Sequence, residues 1–143
     1  MVKRPILFGL RIVEISALIA AAMAGAALAA LGADVIRIDP PGGGIDFKRW
    51  PLYEGRSLYW AGLNQAKRSA TIDTHTDEGR RQVANLIASS GKGGGIVLTN
   101  LPAAGWRSYE QLSKVRDDLI MVVITGTRDG GSAPHVQTSM QGS

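Results

Sequence analysis

Short β-branched runs alternate with longer helical stretches along this chain. The short runs are bounded by Gly, Pro, Asn and Asp, as strands usually are. Five are predicted as strands: Arg11–Ile15, Asp34–Ile38, Lys67–Asp73, Ile96–Thr99 and Leu119–Thr125. Strands that alternate with helices predict an open, mostly parallel sheet with helices on both faces, a Rossmann-like three-layer α/β fold.

The most apolar stretch is Ala17–Leu31, which is rich in the helix formers Ala and Leu and is followed by the stop signal Gly32. This pattern predicts a helix that is apolar on every face and must therefore be covered on every face. The longer run Ile15–Leu31 has 17 residues, at the short limit for a membrane span, and a charged strand follows it. A buried helix is therefore favoured over a membrane-spanning one.

The remaining segments are less regular. Three further helical segments are predicted: Ser57–Asn64, Thr76 to about Ser89, and Trp106–Val115. Thr76 is a good N-cap for the second of them. Asp46–Arg56 is interpreted as an irregular excursion, and Gly126–Ser143 as loop.

The composition excludes some classes of function but does not identify one. The chain has 143 residues, 45% of them apolar, which suits a folded core more than a disordered segment. We therefore expect a single α/β domain over residues 1–143. It contains no cysteine, so disulfide and thiolate chemistry are excluded. The net charge of +4 suits a polyanionic partner such as a phosphorylated cofactor, or equally a solvated basic face.

Targeting and nucleic-acid signals are weak. Lys3 and Arg4 resemble the start of a signal peptide, but Arg11 and Glu14 interrupt the apolar stretch that must follow. We expect a cytoplasmic protein without membrane contact. The chain has no Lys/Arg-rich helix and no aromatic stacking face, so we expect no nucleic-acid binding.

The predicted ligand site is the sheet edge at the carboxyl ends of the strands. In open parallel sheets ligands bind there, at the point where the strand order reverses. No Gly-x-Gly-x-x-Gly motif follows the first strand, and no P-loop is present. The standard dinucleotide and P-loop sites therefore lack their fingerprints.

Several motifs, in order, resemble the N-terminal part of the family III CoA-transferases, which include formyl-CoA and carnitine CoA-transferases and α-methylacyl-CoA racemases. The matching segments are Gly9–Glu14, Leu31–Gly44, Asn64–Ser69, Thr76–Gly79, Thr99–Pro102, and Tyr109–Leu112 followed by Leu119–Gly126. Asn64–Ser69 is similar to the family's Asn-x-x-Lys-Arg-Ser, and Thr99–Pro102 to its Glu-Asn-Phe-x-Pro. The resemblance runs from about Gly9 to Gly142.

The resemblance implies a nucleotide-type α/β domain that holds CoA or an acyl-CoA, without a metal. The implied contacts, carried over position by position, are Leu18, Ile19, Ala20, Ile72, Asn100, Leu101 and Arg107. Asn100 offers an amide donor and acceptor, and Arg107 can donate two parallel hydrogen bonds to a phosphate. From the residues alone, the expectation for Leu18, Ile19 and Ile72 is core packing.

Some positions depart from the family pattern. Ala20–Ala22 stands where the family usually has Ala-Gly-Pro, Pro40 where an Arg is common, and Leu101 where a Phe is usual. We therefore expect weakened CoA binding. The Asp that carries the acyl group in the family follows the segment matched by Val136–Gly142, so no catalytic residue is assigned. His135 resembles the racemase His, but a surface histidine is the favoured interpretation.

Three functions stay open at this point. The chain is a stand-alone or truncated CoA-binding domain, a fragment active only with a separate partner chain, or a degenerate structural domain without a ligand. The family resemblance implies an interlocked dimer. Because the Ala17–Leu31 helix is apolar all round, we expect a homodimer or larger oligomer that covers it.

Overall fold

The computed structural model describes residues 3–126, which form a parallel sheet, a small hairpin and short helices. The strands are β1 (Arg11–Ile15), β2 (Asp34–Asp39), β3 (Leu52–Tyr53), β4 (Arg56–Ser57), β5 (Arg68–Thr71), β6 (Ile96–Thr99) and β7 (Ile120–Val123). The helices are α1 (Ala20–Ala30), α2 (Leu58–Leu63), α3 (Asp77–Ala88) and α4 (Tyr109–Leu112), and a 3-10 turn spans Gly105–Arg107.

The sheet has five strands in the order β5-β2-β1-β6-β7, and all neighbouring pairs are parallel. This confirms the predicted α/β fold. The chain moves outward from β1 to β2 and β5 on one side, and then from β6 to β7 on the other. The strand order therefore reverses between β1 and β6, which is the switch point of the sheet.

Each face of the sheet has its own apolar cluster. On the face covered by α3 and α4, the buried residues are Val13, Ile15, Ile38, Val83, Ile87, Val97, Leu112 and Leu119. On the face covered by α1, they are Ile12, Ala21, Ala29, Ala33, Val35 and Leu98. Alternate residues of one strand point to opposite faces, so the apolar runs of β1 and β2 supply both clusters.

Helix α1 is shorter than predicted and is not covered all round. It begins at Ala20 rather than Ala17, because Leu18 has a φ of +59° and interrupts the helical path. Its Ala21 and Ala22 are buried, whereas Met23 is 57% exposed within the described residues. None of the described helices is long and apolar enough to cross a membrane.

The segment predicted as irregular contains the hairpin of β3 and β4, which is a correction. Tyr53 pairs with Arg56, so only Glu54 and Gly55 form the turn. Both have positive φ, 49° and 76°, as a two-residue type I′ turn requires. Glu rarely occupies such a position, which is why the sequence pattern did not indicate the turn.

Candidate functional site

The loops that follow β1 and β6 lie at the switch point. The two strands are paired side by side, with Ile15 opposite Thr99 at their carboxyl ends. One loop continues toward α1 and the other toward the 3-10 turn, on opposite faces of the sheet. In open α/β sheets, loops that leave neighbouring strands toward opposite faces open a crevice between them, and ligands bind there.

Asn100 joins these two loops. Its Oδ1 accepts a hydrogen bond from the N–H of Ala17 at 3.0 Å, and its Nδ2 donates to the carbonyl oxygen of Ala17 at 2.7 Å. The neighbouring Thr99 donates from Oγ1 to the carbonyl oxygen of Ile15 at 2.6 Å. Hydrogen bonds from the side chains of Thr99 and Asn100 to the backbone of Ile15 and Ala17 therefore join the two loops across the switch point.

Leu18, Ile19 and Ala20 lie at the start of α1. Leu18 and Ile19 are half-buried and Ala20 is exposed. Ile19 is the N-cap, and no side chain caps the helix there. The first N–H groups of a helix have no intrahelical partner and carry the positive end of its dipole. This end of α1 therefore offers unpaired donors at the edge of the sheet.

The other predicted contacts divide between core and surface. Ile72 and Leu101 are half-buried and pack against the apolar cluster on the α3 face; for Ile72 the residue type alone indicated this packing. Trp106 packs against the same cluster. Arg107 stacks with its guanidinium carbon 5.6 Å from the centroid of the Trp106 ring and donates from Nε to the Pro102 carbonyl oxygen at 3.2 Å. Arg107 thus belongs to the connection that begins at Asn100.

A buried group of charged side chains lies on the α1 face beneath this edge. We call it the ion network, and its members are Glu14, Arg37, Asp39, Asp46 and Lys67. Arg37 bonds Asp39 at 2.9 Å and Asp46 at 3.0 Å, and Lys67 bonds Glu14 at 2.8 Å. No side chain in the network is more than 7% exposed.

The ion network also holds the loop after β1. Ser16 donates from Oγ to Glu14 Oε1 at 2.6 Å. Asn64 bridges the two cations, because its Oδ1 accepts from Arg37 at 3.0 Å and from Lys67 at 2.9 Å. The network therefore links β1, β2, the residue before β5 and the first residue of the candidate loop.

The charge states of the two cations follow from burial and pairing. Burial works to lower the pKa of Arg37, but the hydrogen bond with Asp39 and the charge of Asp46 outweigh it, so the pKa lies above its ordinary value. Burial lowers the pKa of Lys67 below its ordinary value, and the hydrogen bond with Glu14 only partly opposes this. The cost of holding a charge away from water thus prevails at Lys67, whereas pairing with carboxylates prevails at Arg37.

Sequence reasoning missed the ion network. Its member Lys67 lies next to Arg68 in the chain, but Arg68 forms its salt bridge outside the network, with Asp34. The available signal was the placement of Glu14 and Arg37 inside apolar strands, since buried charges are almost always paired. His135 lies outside the described residues.

A surface depression lies away from this site. It has a volume of about 660 Å³ and is lined by Lys92, Arg116 and neighbouring residues, close to the amino end of β7 and opposite the candidate edge. Arg116 is already bonded to Asp118 at 2.6 Å. Within residues 3–126, no group of three or more His, Cys, Asp or Glu is arranged to hold a metal ion.

Comparison with known proteins gives consistent matches. The model of CoA-transferase family III matches residues 7–139. The 2-methylfumaryl-CoA isomerase of Chloroflexus aurantiacus is 54% identical over 129 residues, covering 89% of this chain and 32% of that protein. The succinyl-CoA–D-citramalate CoA-transferase of the same organism is 34% identical, covering 81% of this chain and 29% of that protein.

A solved structure shares the fold. A CAIB/BAIF family protein from Brucella suis, 33% identical, superimposes with a TM-score of 0.77 over 91% of this chain and 36% of that chain. The chain thus spans about a third of the length of the proteins it matches.

Proposed function

The chain belongs to CoA-transferase family III, and from that premise we propose that its sheet edge binds the CoA part of an acyl-CoA thioester. Membership confirms the resemblance drawn from the sequence motifs. The observation that carries the proposal is the crevice at the switch point, where Asn100 joins the loops after β1 and β6. Crevices at this position are the usual ligand sites of open α/β sheets.

The residues around the crevice fit the chemistry of CoA, which combines phosphates with an adenine and an apolar pantetheine arm. The uncapped start of α1 supplies N–H donors for an anion, and Arg107 supplies a guanidinium for a phosphate. We propose as the apolar contacts Leu18, Ile19, Ala20, Ile72 and Leu101, of which Ile72 follows β5, two strands away from β1. Pro40 carries no charge where an Arg is common, so we propose weak binding.

The acyl part is proposed from the relatives. The relative that is 54% identical is named for 2-methylfumaryl-CoA, and another is named for succinyl-CoA and citramalate. We therefore propose a short dicarboxylic acyl-CoA as the thioester to test first. Because the chain spans about a third of these relatives, the proposal for residues 1–143 is binding; acyl transfer needs the remainder of the family sequence, in the same or a separate chain.

Calorimetric titration with CoA tests the proposal. Arg107→Ala should weaken binding by about 1–3 kcal/mol, as expected for the loss of a charge-assisted contact. Arg81→Ala is the matched control, because Arg81 is an exposed arginine of α3 that pairs with Glu78 at 3.3 Å. Equal losses from the two variants would point to a general charge effect. No binding by the unmodified chain at millimolar CoA would favour a structural domain without a ligand.

We also propose that the chain forms a homodimer or larger oligomer in the cytoplasm. Met23 of α1 and Ile120 and Val122 of β7 are 57%, 57% and 44% exposed within residues 3–126. Ile120 and Val122 share the α1 face of the sheet, since they pair with Ile96 and Leu98. Covering such surface is favourable by about 25 cal/mol per Å² of apolar area.

Light scattering across a dilution series tests the oligomer. Val122→Lys should shift the chain toward monomer if this face is the interface, because the ammonium group must stay in water. A monomer at micromolar concentration for the unmodified chain contradicts the proposal.

A further inference from the structure

The side-chain amide of Asn100 is bonded at both ends to the backbone of a single residue. Its Oδ1 accepts from the N–H of Ala17, and its Nδ2 donates to the carbonyl oxygen of Ala17. These two groups belong to the peptide units on either side of Ala17. Because peptide units are planar, the amide of Asn100 fixes the orientation of both.

Leu18 comes directly after the fixed carbonyl and has a φ of +59°. A side chain other than glycine rarely occupies this left-handed region, since its Cβ is crowded there. The carbonyl of Ala17 and the nitrogen of Leu18 belong to the same planar peptide unit. Because φ of Leu18 is the rotation about the bond from this nitrogen to Cα, fixing the peptide unit helps to fix φ. Ile19, the N-cap of α1, follows at once, so the conformation of Leu18 directs the start of the helix.

We propose that Asn100 is a positioning residue for CoA, an inference that rests on the proposed function above. Asn100 acts through Ala17, keeping Leu18 left-handed and the first N–H groups of α1 aimed at the ligand, rather than by contacting CoA with its amide. Ser16 is anchored separately by Glu14 and Arg37. Loss of the Asn100 amide therefore releases Ala17 and Leu18 while the loop stays attached to the ion network.

A double-mutant cycle on CoA affinity separates positioning from direct contact. Asn100→Ala should lower the affinity about tenfold, since two hydrogen bonds that hold the loop are lost. Glycine adopts a positive φ without the crowding that Leu18 suffers. In a Leu18→Gly background the same Asn100→Ala change should therefore cost about threefold or less. An equal loss in both backgrounds would mean that Asn100 contacts CoA directly and would overturn the proposal.

The matched control is Asn85→Ala on α3, where the side chain is exposed; its CoA affinity should equal that of the unmodified chain. Circular dichroism verifies that each variant folds. Asn100→Asp is a second, more conservative variant, because its carboxylate still accepts from the Ala17 N–H but cannot donate to the Ala17 carbonyl. Its affinity loss should also shrink in the Leu18→Gly background.

Hydrogen exchange at the Ala17 amide tests the positioning without any ligand. Exchange should be slow in the unmodified chain and in Asn100→Asp, and faster in Asn100→Ala. Unchanged exchange in Asn100→Ala would contradict the positioning role even if CoA binds. Absence of CoA binding by the unmodified chain, with the exchange pattern as expected, would instead contradict the proposed function.

Discussion

Two groups of charged side chains on the same sheet differ in their surroundings. The ion network centres on Glu14, Arg37 and Asp39 in the carboxyl-terminal halves of β1 and β2, and its side chains are at most 7% exposed. At the amino end, Asp34 bonds Arg11 at 2.8 Å and Arg68 at 2.6 Å. The side chains of this amino-end triad are 34% to 60% exposed. Similar groups at similar distances are therefore placed in dry and wet surroundings.

This difference in burial determines how much each ion pair contributes to the stability of the fold. An exposed ion pair contributes only about 0.2–1 kcal/mol, since water solvates its partners when it breaks. A buried ion cannot be rehydrated when its partner is removed, so breaking a buried pair costs about 3–5 kcal/mol. The ion network holds three carboxylates and two cations, which makes each cation hard to replace. It also lies beneath the loop that we propose for CoA.

The largest expected effect is that of Arg37→Met. Methionine fills much of the same volume but leaves Asp39 and Asp46 buried without their cation. We expect the free energy of unfolding to fall by about 3–5 kcal/mol, measured by urea denaturation at pH 7.

The matched control for this prediction is Arg68→Met in the amino-end triad. Arg68 is 60% exposed, so the same substitution should cost less than about 1 kcal/mol. Equal shifts of the denaturation midpoint for the two variants would mean that burial does not separate the two ends of the sheet.

A smaller loss is expected from Gly25→Ala in α1. Alanine normally stabilises a helix interior relative to glycine by about 1 kcal/mol. At Gly25, however, a Cβ would overlap with Oε2 of Glu14, which is fully buried and bonded to Lys67. We expect a net loss of about 1–3 kcal/mol in the free energy of unfolding.

Gly62→Ala in α2 is the control, because a Cβ there meets no atom within 4 Å. This variant should be neutral or more stable by about 0.4–1 kcal/mol. A stabilised Gly25→Ala protein would show that the ion network yields easily, contrary to its role as a rigid support.

The fold could be predicted from sequence because its signals are local. The bounds of β1 and β6 match the prediction, since each is a β-branched run with clear punctuation on both sides. The start of α1 could not be predicted in this way. Alanine and leucine favour helix from Ala17 onward, whereas in the structure Asn100, 83 positions away, bonds both backbone groups of Ala17 outside the helix.

The candidate site was predictable only as far as its edge. Parallel topology puts the loops after β1 and β6 together, but the partner of each polar group depends on register. Glu14 lies opposite Arg37, and Arg37 opposite Ser69, only because of how the strands align. The partners within the ion network could therefore be identified only from the structure, although charged residues inside apolar strands indicated that some pairing must exist.

The smallest expected effect concerns acid stability and the amino-end triad. The hydrogen bond from Arg68, helped by Arg11 and opposed by burial, holds the pKa of Asp34 below its ordinary value of 3.8. At a pH between the pKa of Asp34 in the folded chain and its higher pKa in the unfolded chain, the unfolded chain binds more protons. The stabilisation is therefore complete above about pH 4 and is lost as the pH falls through the folded pKa.

Asp34→Asn removes the carboxylate at every pH. The unmodified chain should therefore have a free energy of unfolding about 0.2–1 kcal/mol above that of the variant at pH 5, and the difference should shrink as the pH falls below about 4. Urea denaturation at each pH measures it, with Arg68→Met expected to reduce the same pH dependence. A difference that grows as the pH falls would contradict the assigned direction of the pKa shift.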